Sequence, residues 1–307
     1  MLTYLMRRAT MAAVVMVIVS VICFVLSNVA SDPAVGIAGA QATDADLAVV
    51  RQTYGLDRPL PVRYAEYIGN LLQGDFGTSY LAKRPVLEMI LERLPVTALL
   101  AFLSMALALA IALPLGCAAA LWPNTLVDRL SQVLAVTGQA IPNFWAGLLL
   151  IVVFGVQLRW LPISGSDTLA HFVLPAITLG TFAMPPLMRL IRAGMIEVLA
   201  SDYIRTARAM GIRPFALTFK YALKNAVLPV ISLAAVQLGF MLGGSIVVES
   251  IFALNGVGYL AWQSMSRSDM PVIQAIVLLI SMIYIVLTLA ADLLNGIMDP
   301  RLRGARK

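Results

Sequence analysis

Six separate runs of about 20 or more mostly apolar residues constrain this chain more than any other feature. They are Ala9–Ala30, Val96–Leu121, Leu130–Gln157, Phe172–Ile191, Val227–Val248 and Val272–Ile297. A helix needs about 20 such residues to cross the hydrocarbon of a bilayer. A helix also satisfies its own backbone polar groups, which lipid cannot do. The pattern therefore predicts an all-α integral membrane protein with six transmembrane helices. Composition agrees, with 60% hydrophobic and 12% charged residues. A soluble domain runs near 45–50% and about 25%.

Basic residues set the expected orientation. With the N-terminus inside, the inner loops hold Arg7, Arg8, Arg129, Arg189, Arg192, Arg205, Arg208, Arg213, Lys220, Lys224, Arg301, Arg303, Arg306 and Lys307. Their acids are Asp128, Glu197, Asp202 and Asp299. The long segment 31–95 holds six basic and eight acidic residues. Both termini are thus expected in the cytoplasm. A net charge of +6 then reflects topology rather than a nucleic-acid partner, and none is expected. The first run is longer than a signal-peptide core and lacks a small-residue cleavage site near Ser27–Pro33, so it reads as a retained span.

The outer segment carries local structure signals. Thr43 suits the cap of a short helix ending near Gly55. Pro61 opens a second helix that Gly74 closes, with Tyr64, Tyr67, Ile68 and Leu71 on one face. Pro85 opens a third short helix leading into the second span. This segment reads as a folded cap on the outer bundle surface, as a docking surface or gate for a soluble donor protein, or as both.

Several chemistries are excluded. Cys23 and Cys117 lie inside apolar runs without a CxxC neighbour, and His171 is the only histidine. No metal cluster or histidine-based catalytic group follows from that inventory; His171 reads as a helix-start residue. No phosphate loop of the type G-x-x-x-x-G-K-[ST] occurs, so ATP cannot bind by that route.

The inner loop SDYIRTARAMGIRPFALTFKYALKNAVLP, residues 201–229, is the most informative segment. Ser201 or Asp202 suits an N-cap, and Tyr203 to Met210 makes two turns. Arg205 and Arg208 sit in the half favoured by the helix dipole. Gly211 suits a left-handed C′ position and Pro214 blocks continuation. A short capped helix between two long ones is a rigid handle through which a soluble motor can push. Ala207 and Ala209 would let it enter a partner's groove, with Arg205 and Arg208 available to acids there. An interfacial helix whose arginines meet lipid phosphates fits the same residues.

Polar groups within or beside the spans are candidates for a translocation path: Gln139 and Asn143 flanking Pro142, Gln237, Glu249 near the outer end of span five, and Asp292. Helix–helix hydrogen bonding is the alternative for the amides. Gly239, Gly243 and Gly244 read as tight helix packing.

The loop resembles the signature loop of ABC importer permeases, whose pattern is Glu-Ala-Ala, three residues, then Gly. With Gly211 as that Gly, the first three positions fall on Arg205, Thr206 and Ala207, so only Ala207 and Gly211 match. The variant DYIRTARAMG with LKNAVLP is similar to the dipeptide, oligopeptide and nickel branch. So are GLDRPLPVRY (55–64), GDFGTSY (74–80), RPVLEMILERLP (84–95), IPNFW (141–145), WLPISG (160–165), HFVLPAITLG (171–180), GGSIVVESIFALNGVGYL (243–260) and DMPVIQA (269–275). Asn255 departs from the Pro of many relatives.

The resemblance implies a type I importer permease in the bacterial inner membrane. Its organisation would be a tail and first span (1–30), a periplasmic helical cap (31–95), a five-helix core (96–300) with a coupling helix near 202–214, and a basic tail (301–307). Asp202, Tyr203, Arg205, Thr206, Ala207, Arg208, Ala209 and Gly211 would meet the ATPase. Implied partners are a homologous second permease, two ATPase subunits holding ATP and Mg, a periplasmic substrate-binding protein and the lipid bilayer. This chain would do no covalent chemistry. Cargo in that branch includes short peptides, glutathione, nickel chelates and opines. A rival class, the ion-coupled secondary transporter, would show inverted repeats and paired mid-membrane ionisable groups; neither is evident.

Overall fold

The computed structural model describes residues 2–29, 32–39 and 41–298; Asp299 and the basic tail 301–307 lie outside the described residues. The described chain is helical, apart from one isolated β-bridge between Thr78 and Pro85. Four helices are long and apolar enough to cross a membrane, and two bent helix pairs bring the total to six. Two compact units result: Met1–Thr97 with Asn255–Ile285, and Ala98–Leu254 with Val286–Lys307.

In the first unit, α1 (Leu2–Val29) supplies the first span. Asp32 caps α2 (Pro33–Ala38) and pairs with Arg51 of α3 (Asp44–Thr53); the Arg51 guanidinium holds the Asp32 carboxyl below the usual carboxylate range. Thr43 caps α3 as expected, and Asp46 returns the bond to the Thr43 N–H at 3.0 Å. These contacts hold the exposed Asp46 carboxyl low. Its contribution to α3 is therefore present at neutral pH and lost as pH falls through the folded-state value.

The next helix, α4 (Leu60–Leu72), lies beside α1. Arg63 Nη2 donates to Asn28 Oδ1 at 2.5 Å, and the rings of Tyr64 and Tyr67 stand 5.3 and 5.6 Å from that of Phe24. The Tyr64 and Ser20 hydroxyls are bonded at 2.8 Å, and Ile68 and Leu71 share an apolar cavity of about 320 Å³ with Met16 and Val17. The expected face Tyr64, Tyr67, Ile68, Leu71 is thus half-buried. It runs antiparallel along α1 from Asn28 to Met16, roughly 18 Å at 1.5 Å per residue.

Pro85 does not open a separate helix. It precedes α5 (Val86–Leu121), one continuous helix of 36 residues. That is roughly 54 Å, well beyond the ~30 Å hydrocarbon core, so the expected short helix is the protruding end of the second span. Asp269 clasps the loop in front of it. This carboxylate is 3% exposed and accepts from Ser79 Oγ at 2.5 Å and from the Tyr80 N–H at 3.0 Å. Replacing it by Ala strands two donors, at a cost of about 1–3 kcal/mol. Asp269→Ala is expected to accelerate amide hydrogen exchange in residues 77–86 while leaving α5 protected beyond its first turns.

The second unit begins with α6 (Leu126–Ala140) and α7 (Asn143–Leu150), which runs into a π-helical stretch, Ile151–Gln157. The expected third span is sharply bent: the two halves meet at 98°. Ile141 is extended at φ −81°, ψ 123° before Pro142, as the clash with a following proline ring demands. The fourth span is α8 (Ala170–Leu199). Near its start the Thr168 N–H donates to His171 Nδ1 at 3.2 Å, so His171 is a helix-start residue. Gly180 lets α8 close on α5, since a Cβ there would stand 2.9 Å from the Ser104 carbonyl oxygen. Asp128 of α6 is 1% exposed and takes a two-pronged ion pair from Arg192 of α8, both distances 2.7 Å.

After α8 come α9 (Asp202–Ala209), α10 (Pro214–Ala216), a π-helical turn Leu217–Ala222, and α11 (Leu223–Ala226). A 54° bend then leads into α12 (Leu228–Ile251), the fifth span. The chain returns to the first unit through α13 (Val257–Ser266), which the apolar runs do not reveal. Its sixth span is α14 (Met270–Met298). The Val257 N–H at the start of α13 is capped by Thr97 Oγ1 at 2.8 Å.

Candidate functional site

The handle predicted between spans four and five is α9. Ser201 is its N-cap by backbone conformation, φ −70° and ψ 154°, but its hydroxyl donates back to the Val198 carbonyl at 2.5 Å. Asp202 therefore supplies the negative charge in the first turn. At the other end Gly211 has φ +78°, and its N–H donates to the Arg208 carbonyl at 3.0 Å. That is the expected left-handed stop.

One face of α9 is anchored. Ile204 is fully buried and Ala207 is 8% exposed, three residues apart and so on one side. The expectation that Ala207 faces a partner's groove is corrected: its methyl packs against the subunit itself. The Tyr203 hydroxyl accepts from Asn225 Nδ2 at 2.7 Å, tying α9 to α11. The other face is open, with Asp202, Arg205, Thr206, Arg208, Ala209 and Gly211 exposed. Arg205 pairs with Asp202 at 3.1 Å within α9, whereas Arg208 has no ion-pair partner among the described residues. Met210 and Phe215 beyond it are 76% and 75% exposed. The site is thus a short helix held by an apolar face and one tyrosine, presenting charge and apolar area outward.

A second site lies along α7, α8 and α12. Asn143 and Gln237 share a cavity of about 340 Å³ with Leu179, Phe182 and Ala183 of α8 and Met241 of α12. Pro185 and Pro186 lie inside α8. They have no N–H, so the carbonyls of Thr181 and Phe182 lose their usual donors four residues on. The remaining pathway candidates fall elsewhere. Gln139 is exposed on the last turn of α6 and accepts from Arg189 Nη2 at 2.7 Å. Glu249 is fully buried near the end of α12, away from that cavity. Asp292 is half-buried on α14. Among the described residues no group of three His, Cys, Asp or Glu is placed to hold a metal ion.

Sequence reasoning overlooked Ile204 and Asn225, and named Arg189 only among the inner-loop basic residues. Ile204 had a signal, being the one apolar side chain among polar neighbours three residues before Ala207. Asn225 had none beyond its place in the LKNAVLP motif.

The described residues supply up to six helical spans, with the short α9 between the fourth and fifth anchored on one face and open on the other. The chain belongs to the family described as binding-protein-dependent transport system inner membrane component, which it matches over residues 112–304, with that family's N-terminal region over residues 1–101. It is 42% identical over 304 residues to the glutathione transport system permease protein GsiC of Salmonella typhimurium, covering 99% of both chains. Identity to the GsiC of Escherichia coli K12 is 41% over the same length and coverage. In fold it is similar to the inward-facing MetNI methionine ABC transporter, with TM-score 0.57 and 19% identity over 69% of this chain and 96% of that one. This chain is a non-catalytic, multi-pass permease subunit of an ABC importer in the peptide and nickel branch. Its family implies ATPase and binding-protein partners. The ion-coupled transporter is thereby set aside.

Proposed function

We propose that this subunit carries short peptides of the glutathione kind across the inner membrane. End-to-end identity of 42% to glutathione permeases carries this reading of the cargo. Both termini face the cytoplasm, so α9 projects there while α2, α3 and the start of α5 face the periplasm. A homologous second permease completes the path, a periplasmic binding protein delivers the solute, and two ATPase subunits hold ATP and Mg. Closure of the ATPase pair moves α9. The Tyr203–Asn225 bond and the buried Ile204 pass that motion to α11 and the bend before α12. The cavity between Asn143 and Gln237 is the solute's station at mid-span, offering neutral amides rather than fixed acids.

Uptake by the complete complex in proteoliposomes tests the cargo. Glutathione and di- or tripeptides are expected to enter in an ATP-dependent manner, and nickel chelates not at a comparable rate. Efficient nickel-chelate import without glutathione import would reverse the assignment. The purified subunit alone is expected to hydrolyse no ATP.

A further inference from the structure

We propose that Arg189 is a specificity-determining residue of the path, selecting solutes that carry a carboxylate. The inference rests on the reading of the Asn143–Gln237 cavity as the solute's station. Leu179 and Ala183 line that cavity on α8, and Pro186 and Arg189 continue the same face of the helix by steps of three and four. Arg189 stands roughly 9 Å beyond Ala183 toward the α9 end, six residues at 1.5 Å each. A solute leaving the cavity for the cytoplasm passes it.

Arg189 differs from the arginine one turn further on. Arg192 gives both prongs of its guanidinium to the buried Asp128 at 2.7 Å and is a structural pair. Arg189 is exposed, has no carboxylate within 4 Å among the described residues, and bonds only the amide oxygen of Gln139 at 2.7 Å. Gln139 in turn lies four residues before Asn143, across the 98° break. One neutral acceptor leaves most of the guanidinium's five donors and all of its charge available. A carboxylate brings a full negative charge and two oxygens in the geometry of the guanidinium fork, where the amide of Gln139 offers one neutral oxygen. A peptide carboxylate would therefore displace Gln139 and be held briefly at the exit side of the cavity. Peptides with a free C-terminus fit, and glutathione, with two carboxylates, fits well.

The test compares glutathione with its diamide, in which both carboxylates are neutralised, in proteoliposomes holding the complete complex, each variant scored as its rate relative to wild type for each solute. The binding protein's own preference then cancels. Arg189→Gln is expected to cut glutathione uptake about tenfold, the worth of one charged hydrogen bond, and diamide uptake by less than about twofold. Arg189→Lys should keep most of the preference. Gln139→Glu, which leaves the arginine intact but supplies an internal carboxylate, should reproduce the Arg189→Gln pattern. Equal losses for both solutes in both variants would overturn the inference and make Arg189 a lipid-phosphate anchor. A wild-type complex that imports neither solute would instead defeat the cargo assignment on which the inference stands.

Discussion

Ala207→Trp is expected to abolish uptake by dislodging α9 from its own subunit, and Ala209→Trp to abolish it by blocking the partner. The two alanines lie on opposite sides of the handle. Ala207 is 8% exposed and shares the anchored face with Ile204. An indole there overpacks a closed contact, at a cost of about 1–3 kcal/mol, and α9 must shift. Ala209 is exposed, so Trp at that position strains nothing within the subunit and meets only whatever docks on α9. Ala207→Trp should therefore lower both the thermal stability of the isolated subunit and transport. Ala209→Trp should leave stability near wild type while ATPase co-purification and uptake are lost. If α9 merely rested among phospholipid headgroups, Trp at 209 would be tolerated, because Trp is favoured at that interface. Normal uptake by Ala209→Trp would contradict docking on that face. Arg208→Ala should act more mildly, since one exposed charge pair contributes roughly 0–1 kcal/mol.

Arg192→Ala is expected to destabilise the subunit, and by more than Asp128→Ala does. The asymmetry follows from burial: the Asp128 side chain is 2% exposed and that of Arg192 25%. Removing the arginine leaves a buried carboxylate supported only by the Asn124 N–H and Gln132 Nε2, both at 2.9 Å. Removing the aspartate leaves a guanidinium that reaches solvent. The double variant should cost less than the sum of the two, because the paired groups are coupled. Thermal unfolding of the four proteins in detergent reads the cycle; additive losses would mean that the pair is not a unit.

These two sites differ in how far they can be read from residues alone. The six spans are legible because hydrocarbon thickness imposes a length that few soluble segments meet. The α9 stop is legible because Gly211 and Pro214 act locally. The face of α9 is half legible: the Ile204–Ala207 spacing marks a buried side, but a small residue serves a partner's groove equally well, and the fold decides. Pro142 announces a disturbance, yet a proline can kink a span or break it, and the 98° outcome depends on what packs around Ile141 and Asn143. The partnership of Asp128 with Arg192, 64 residues apart, leaves no local signal. Nor does the course of α4 along α1: its tyrosine face is periodic, but periodicity names a buried side without naming its neighbour.

The central claim is that α9 is the cytoplasmic contact through which ATPase subunits drive this permease. A single cysteine at position 208, in a background with Cys23 and Cys117 replaced, tests it most directly. In the assembled complex a short bismaleimide should join that cysteine to an ATPase subunit carrying one cysteine in its docking groove. An impermeant maleimide added to the periplasmic face should leave it unlabelled. Labelling from the periplasmic face, or a transport-competent complex in which position 208 never joins the ATPase, would contradict the account.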